Sequence, residues 1–363
     1  FMYTPSEINN VNKLAGVLRC EISQIDNLVN KVVPRPEFGE LFEEVHFDGL
    51  PFHFGVSISE DFILEIKLPK RKVHLGYRTV YSVLPHFASS ALKVLKFYLN
   101  DLYVPNDCVH GFIKKRNIVT NARMHLNKKL ILNVDIKNFF ESINIDMVRG
   151  VYEKLGFQKD IAEILSNITT LNGRLVAGFS TSPVIANLYC NEMDEELMHV
   201  CSQNNITYTR YADDITFSGD KIDILSDVGE ILQRYGFEIN KSKTRYYYRG
   251  NGQYVTGLSV EDAVKPRVPK YVKKRLRAEV YSICKYGLKS NVARILGIDE
   301  GGVDETMLKK RAAKIIGWLS FISSIEYKFA KDCFNHLLRI DNARDSYYII
   351  NALEHVSSKI KRF

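Results

Sequence analysis

Apolar residues recur along this chain with two periods, and each change of period marks a change of element. Residues 6 to 30 carry helical spacing and run into the loop Pro34-Arg35-Pro36. Two β-type runs follow, Phe62 to Lys67 and Tyr77 to Tyr81. Their alternation predicts a hairpin whose connection holds the basic Lys70-Arg71-Lys72. Between Phe87 and Leu102 the pattern returns to helical, with Leu92, Leu95, Tyr98 and Leu99 on one face. Leu130 to Ile136 is a short apolar run of strand type. Helical segments at 145–168 and 182–200 come next. Ile206 to Ser218, rich in Thr, Tyr and Ile with a polar pair at its centre, then predicts a second hairpin. A helix at 221–235, a strand at 237–240, strands near 245–260 and a helical tail complete the map. Strands and helices mix without regular βαβ alternation, so the expected fold class is α+β.

Composition adds bounds. The 363 residues are 45% apolar and 25% charged with only 10 Pro, which excludes a disordered or collagen-like chain. Their number suggests about two to three compact units. Net charge is +8, but it is unevenly placed: residues 265–363 carry +11 and the rest −3. In the tail, Lys270, Lys273, Lys274 and Arg277 share one helical face. Such a stripe suits nucleic-acid phosphates, although a plain solvated helix shows the same letters. The six cysteines form no CxxC pair, so zinc and dithiol redox sites are unsupported and reduced thiols are expected. No run of about 18 apolar residues exists and the start lacks a secretory pattern, so no membrane partner is expected.

Candidate chemistry centres on Tyr211-Ala212-Asp213-Asp214 at the middle of the second hairpin. Adjacent carboxylates repel, and a hard divalent cation shared with substrate phosphates resolves that repulsion. An isolated pair of this kind is more often a hydrated turn. Asp135 ends the apolar strand about 78 residues earlier. If that strand lies beside the hairpin, Asp135 and Asp213 meet at one sheet edge. Two cations about 3.5–4 Å apart would then activate a hydroxyl and stabilise a leaving pyrophosphate.

At these residues the chain resembles a reverse transcriptase. Asp135 to Phe140 is similar to the family's first palm motif and Tyr211 to Asp214 to its YxDD box. Gly178-Phe179-Ser180-Thr181-Ser182-Pro183 and Gly236-Phe237-Glu238-Ile239-Asn240 with Lys243 resemble two further motifs, all in the family's order. Asn121-Ala122-Arg123-Met124-His125 and Val255-Thr256-Gly257 resemble the NAxxH and VTG signatures of retron enzymes. The resemblance runs from about Arg78 to Leu258.

It implies a right-hand polymerase: fingers at 1–130 with part of 141–190, a palm at 131–262, and a basic helical thumb at 263–363. Asp135, Asp213 and Asp214 would be catalytic and hold the metal, with the carbonyl of Ile136 as a further ligand. Phe140 would be the steric gate against ribonucleotides, unless both Phe139 and Phe140 are core. Arg78 would clamp the triphosphate, with a companion cation such as Lys72. Gly178 would let backbone approach the nucleotide, with Ala177 replacing the usual Gln and leaving one contact in doubt. Asn121, His125, Val255, Thr256, Gly257, Lys270, Lys273, Lys274 and Arg277 would contact nucleic acid. For His125 the competing reading is a core hydrogen bond, and for Val255 to Gly257 a plain strand bend.

The implied reaction is Mg²⁺-dependent DNA synthesis from dNTPs, with two ions expected and Mn²⁺ as a substitute. Its template would be a cognate structured noncoding RNA that also supplies a 2′-hydroxyl primer, giving a branched RNA–DNA (msDNA). An effector protein in anti-phage defence and a bacterial cytoplasmic setting are implied too. Two alternatives stand beside this: another bacterial reverse transcriptase, group II intron-like or defence-associated, and a catalytically silent RNA-binding scaffold.

Overall fold

The computed structural model describes residues 3–33, 62–69, 76–340 and 343–360. The loop Pro34-Arg35-Pro36 and the basic Lys70, Arg71 and Lys72 lie outside the described residues, so the companion-cation expectation at Lys72 falls there too. After a 3-10 turn at Pro5–Glu7 come α1 (Val11–Leu18) and α2 (Ile22–Asn30). β1 (Ile63–Pro69), β2 (Tyr77–Val83), α3 (His86–Leu102) and α4 (Ile118–Arg123) follow. β3 (Leu130–Asp135), α5 (Ile145–Lys154), α6 (Lys159–Thr169), α7 (Ser182–Tyr189) and α8 (Asn191–Gln203) lead to β4 (Thr207–Tyr211) and β5 (Asp214–Gly219). Next are α9 (Leu225–Arg234), β6 (Arg245–Tyr248), β7 (Tyr254–Val255) and β8 (Leu258–Ser259). The tail forms α10 (Lys270–Tyr286), α11 (Leu288–Leu296), α12 (Glu305–Ser323), α13 (Tyr327–Leu337) and α14 (Ala343–Ile360). The class is α+β, as the alternation of periods predicts.

Several helices are shorter than their apolar pattern. The segment 6–30 breaks because Arg19 takes a left-handed φ of 55° and closes α1, while Glu21 and Gln24 form a capping box that starts α2. Gly156, at φ 99°, separates α5 from α6. Expected strand 237–240 is reduced to one bridge, Ile136 with Ile239. By contrast α3 buries the expected Leu92, Leu95, Tyr98 and Leu99, together with Ala88 and Ala91.

β1 and β2 pair antiparallel from Ile63 with Val83 to Pro69 with Tyr77. The central sheet has the order β4-β5-β3-β6, and β7 with β8 forms a small hairpin. Two compact units divide the chain. The first takes the residues up to Lys114, Asn133–Ile215 and Asp223–Thr244; the second takes Lys115–Leu132, Thr216–Ile222 and Arg245 onward. Neither coincides with 1–130, 131–262 or 263–363, because β3 and β5 each pass from one unit to the other along their length.

In the first unit α5 packs on α6 and α7, and α8 on α9 and β4, around Tyr152, Leu165, Ile185, Met193 and Leu197, all essentially solvent-free. In the second, α12 packs on α11, α13 and α14. Its buried Leu308, Ala312, Ile315, Ile316, Leu319 and Ile322 follow helical spacing and join Val255, Leu258, Val260, Leu276 and Ile283. Asp304 starts α12 by accepting from the Met307 amide at 2.8 Å. No described helix is long and apolar enough to cross a membrane.

Candidate active site

β3 is buried at all but one position, as a strand covered on both faces must be, and it delivers Asp135 at its end. The β4–β5 hairpin turns through Ala212 and Asp213, with Ala212 at a left-handed φ of 58°. The Ile136 amide donates to the carbonyl of Asp213 at 3.0 Å, so the expected meeting of the two segments occurs.

Asp135 is 8% exposed. Its carboxylate accepts from Asn240 Nδ2 at 2.9 Å and from Lys243 Nζ at 2.9 and 2.8 Å. The backbone supports this, because the Asn240 amide donates to the Asp135 carbonyl at 2.8 Å and Lys137 to the Glu238 carbonyl at 2.9 Å. Withdrawal from water raises the Asp213 carboxyl above its usual range, and Asp135 adds to the rise while Lys243 and Arg78 oppose it. The same withdrawal, reinforced by Asp213 and then Asp135, pushes Asp214 up to about 6 against the pull of Lys243. Three carboxylates therefore share one field.

This all-oxygen donor set suits a hard divalent cation. Among the described residues no three His, Cys, Asp or Glu side chains form a ready cage. The ammonium of Lys243 takes the Asp135 oxygens instead. By chemistry the carboxylates of Asp135, Asp213 and Asp214 would suit such a cation, with the Ile136 carbonyl as the further ligand that the resemblance implies.

Arg78 is exposed on β2, opposite Leu68, and its charge reaches Asp213. Phe139 and Phe140 divide the roles left open by the sequence. Phe139 is 5% exposed and stacks on Phe237 at 5.5 Å, whereas Phe140 is half-buried with Phe112 at 6.3 Å. Phe140 alone keeps a face for a ligand.

The expectation for Gly178 needs correction. Its φ is 114°, and a Cβ there would collide with the carbonyl oxygen of Tyr81 and stand 2.8 Å from its amide nitrogen. The chain's own backbone, not a nucleotide, fills that space, and the Tyr81 amide donates to the Ala177 carbonyl at 2.8 Å.

Expected nucleic-acid contacts are corrected in part as well. Asn121, His125 and Val255 are 1%, 0% and 0% exposed and have no surface with which to touch RNA. His125 Nδ1 lies 2.6 Å from Ser218 Oγ, which is the core hydrogen bond weighed against contact. Val255-Thr256-Gly257 is the turn of the β7–β8 hairpin. Thr256 and Gly257 have φ of 46° and 80°, the pair of positive angles that a two-residue hairpin of type I′ requires. Thr256 Oγ1 anchors it by donating to the Ile118 carbonyl at 3.2 Å. The α10 stripe also splits. Lys273 bonds Glu326 at 2.9 and 3.0 Å and is half-buried, whereas Lys270, Lys274 and Arg277 are exposed, Arg277 lying over the Phe329 ring at 4.9 Å.

Residues 68–299 match the family model described as reverse transcriptase (RNA-dependent DNA polymerase). The chain belongs to this family, and its α+β architecture is the right-hand polymerase fold. Within it the likeness is to the retron type. The retron Mx162 reverse transcriptase of Myxococcus xanthus is 32% identical over 267 residues, covering 64% of this chain and 54% of that protein. The retron Mx65 enzyme of the same organism is 34% identical over 240 residues, 58% of this chain and 56% of that protein. The retron Ec86 enzyme of Escherichia coli is 28% identical over 287 residues, 77% of this chain and 80% of that protein. The chain thus spans little more than half the length of the two M. xanthus relatives. Reverse transcriptase domains generally use divalent metal ions.

Proposed function

We propose that this chain is an RNA-directed DNA polymerase of the retron type, with fingers at 1–130 and part of 141–190, palm at 131–262 and thumb at 263–363. The observation that carries the reading is the meeting of Asp135 with the Asp213–Asp214 turn, tied by the Ile136 amide donating to the Asp213 carbonyl at 3.0 Å. Two Mg²⁺ ions, when bound, supply the charge that activates the attacking hydroxyl and stabilises the leaving pyrophosphate. The protein's own work is positioning. Asp135, at the end of β3, and Asp213, in the adjoining β4–β5 turn, hold the reacting oxygens' counter-charge in place. Arg78 presents forked donors to the triphosphate. Phe140 offers a flat ring beneath the incoming sugar, where a 2′-hydroxyl has no room. Lys270 and Lys274 supply phosphate contacts along the template–product duplex.

The substrates are dNTPs, and the template is a structured noncoding RNA whose own 2′-hydroxyl primes synthesis, giving branched RNA–DNA. The retron type of the relatives supports that choice. An effector protein from the same locus, acting in anti-phage defence, is the expected partner in the bacterial cytoplasm.

Primer extension by the purified chain, beside its Asp213→Asn variant, tests the polymerase. Extension by the wild type, lost in the variant with RNA binding kept, supports it; RNA binding without extension in the wild type leaves only a scaffold. Recovery of the nucleic acid bound in cells tests the retron part. DNA joined through a 2′–5′ branch to RNA is expected, and unbranched cDNA overturns it.

A further inference from the structure

An ion pair with no exposed side-chain surface on either partner lies behind the aspartate hairpin, between Arg210 of β4 and Asp194 of α8. Arg210 Nε donates to Asp194 Oδ1 at 2.8 Å and Oδ2 at 3.2 Å, and Nη2 donates to Oδ2 at 2.7 Å. Tyr208 OH adds a bond to Asp194 Oδ1 at 2.6 Å. The remaining arm, Nη1, donates to Asn187 Oδ1 at 3.0 Å and to the Ala212 carbonyl at 3.4 Å. Asn187 Nδ2 in turn holds the Gly111 carbonyl at 3.0 Å.

Stability is a poor reason for such a pair. Stripping two charges of water costs several kcal/mol, and apolar residues of equal volume would often fill the space as well. What the planar fork gives is orientation. It ends on Ala212, the residue immediately before Asp213, at a left-handed φ of 58° that L side chains disfavour. The turn is confined from another side too. The segment before Gly111 runs beside β4, with Arg210 donating to the Cys108 carbonyl and His110 to the Arg210 carbonyl, each at 2.8 Å. A Cβ on Gly111 would collide with the Ala212 amide nitrogen and lie 3.0 Å from the Tyr211 carbonyl carbon.

We propose that Arg210, locked by Asp194, is a positioning residue that fixes the Ala212 turn so that Asp213 and Asp214 meet the cation. This deepens the polymerase reading and rests on it.

Arg210→Lys keeps the charge and loses the fork; Tyr208→Phe removes one bond to Asp194 without touching a charge. Three quantities decide: the Mn²⁺ dissociation constant by electron paramagnetic resonance, primer-extension kcat and KM for dNTP, and the thermal melt. Arg210→Lys is expected to weaken Mn²⁺ binding and lower kcat by about tenfold each, as losing a group that orients a metal ligand does, with KM little changed. Tyr208→Phe moves both in the same direction by less. A lowered melting point with wild-type Mn²⁺ affinity and kcat in the folded protein assigns the pair to packing and overturns the proposal. Should Arg210→Lys not melt cooperatively, unchanged Mn²⁺ affinity and kcat in Tyr208→Phe overturn it equally. A wild type that binds Mn²⁺ yet extends no primer refutes the polymerase reading, while the Mn²⁺ comparison still judges the positioning.

Discussion

The ammonium of Lys243 sits within 2.9 Å of both carboxylate oxygens of Asp135, on the edge where Asp213 and Asp214 also bring their charge. The side chain of Lys243 is 61% exposed and that of Asp135 11%, so water screens the pair and its net stabilisation is small, about 0–1 kcal/mol. Its larger effect is to compete with a cation for the same oxygens. Lys243→Gln is expected to tighten Mn²⁺ binding several-fold at low ionic strength while barely moving the melting point. Isothermal titration with Mn²⁺ checks this, and weaker binding in the variant would count against the competition.

Protons compete for the same site. Asp214 in the folded chain titrates at about 6, above the 3.8 expected of an unperturbed aspartate. Cation affinity should therefore be steady above that pH and decline as pH falls through it, because a ligand carboxylate must lose its proton first. The sign for stability is the opposite. A raised folded-state pKa means that the folded chain binds the proton more tightly, so the contribution of Asp214 is fully present below pH 3.8 and is lost as pH rises through about 6. Replacing Asp214 by Asn should flatten both dependences, as melts between about pH 3.5 and 7 and Mn²⁺ titrations between about pH 5 and 8 would reveal.

Phe140 and Phe139 should separate cleanly by mutation. Phe140→Ala removes a half-buried ring and should admit ribonucleotides, read as the ratio of kcat/KM for dNTP over rNTP in primer extension. Phe139→Ala empties a core position against Phe237 and should cost about 3–5 kcal/mol of stability. Unchanged sugar discrimination in Phe140→Ala would remove the gate.

Gly178→Ala should be costly even though the residue is exposed. The new methyl meets the Tyr81 carbonyl at a positive φ, and forced displacement of this kind costs about 1–3 kcal/mol. A chemical-denaturation midpoint equal to the wild type's would show that the β2 backbone yields freely.

His125→Ala tests the reassignment of the NAxxH signature. Losing the bond to Ser218 inside the second unit should destabilise the chain by about 1–3 kcal/mol. RNA affinity of the protein that remains folded should stay at the wild-type value; a selective loss of affinity would restore the contact reading.

How much of this was legible beforehand depended on how local the cause was. Asp135, Asp213 and Asp214 could be read because a strand period and a hairpin period each place their aspartates without help from distant residues. The face of α3 was readable for the same reason. Arg19 closes a helix in a left-handed conformation more usual for glycine, so the break after α1 left no mark in the letters. Lys243 and Asn240 reach Asp135 only because 237–240 folds back along Ile136, a contact across more than 100 positions. His125 and Asn121 lie in a basic stretch that suggests a surface, yet Asn121 on α4 and His125 just after it are both buried. Arg210 reads as one more polar residue before the YADD box, and its meaning depends on Asp194 sixteen positions earlier on another element.

The bond from Tyr81 to Ala177 carries one more consequence. Among the described residues the β1–β2 hairpin pairs with no other strand, and most of β1 is exposed. Its backbone is clamped at Tyr81, three residues from Arg78, a distance of about 10 Å along a strand. The hairpin is thus a short cantilever. Bending at that clamp, rather than sliding of β2, would then set how far the guanidinium of Arg78 travels.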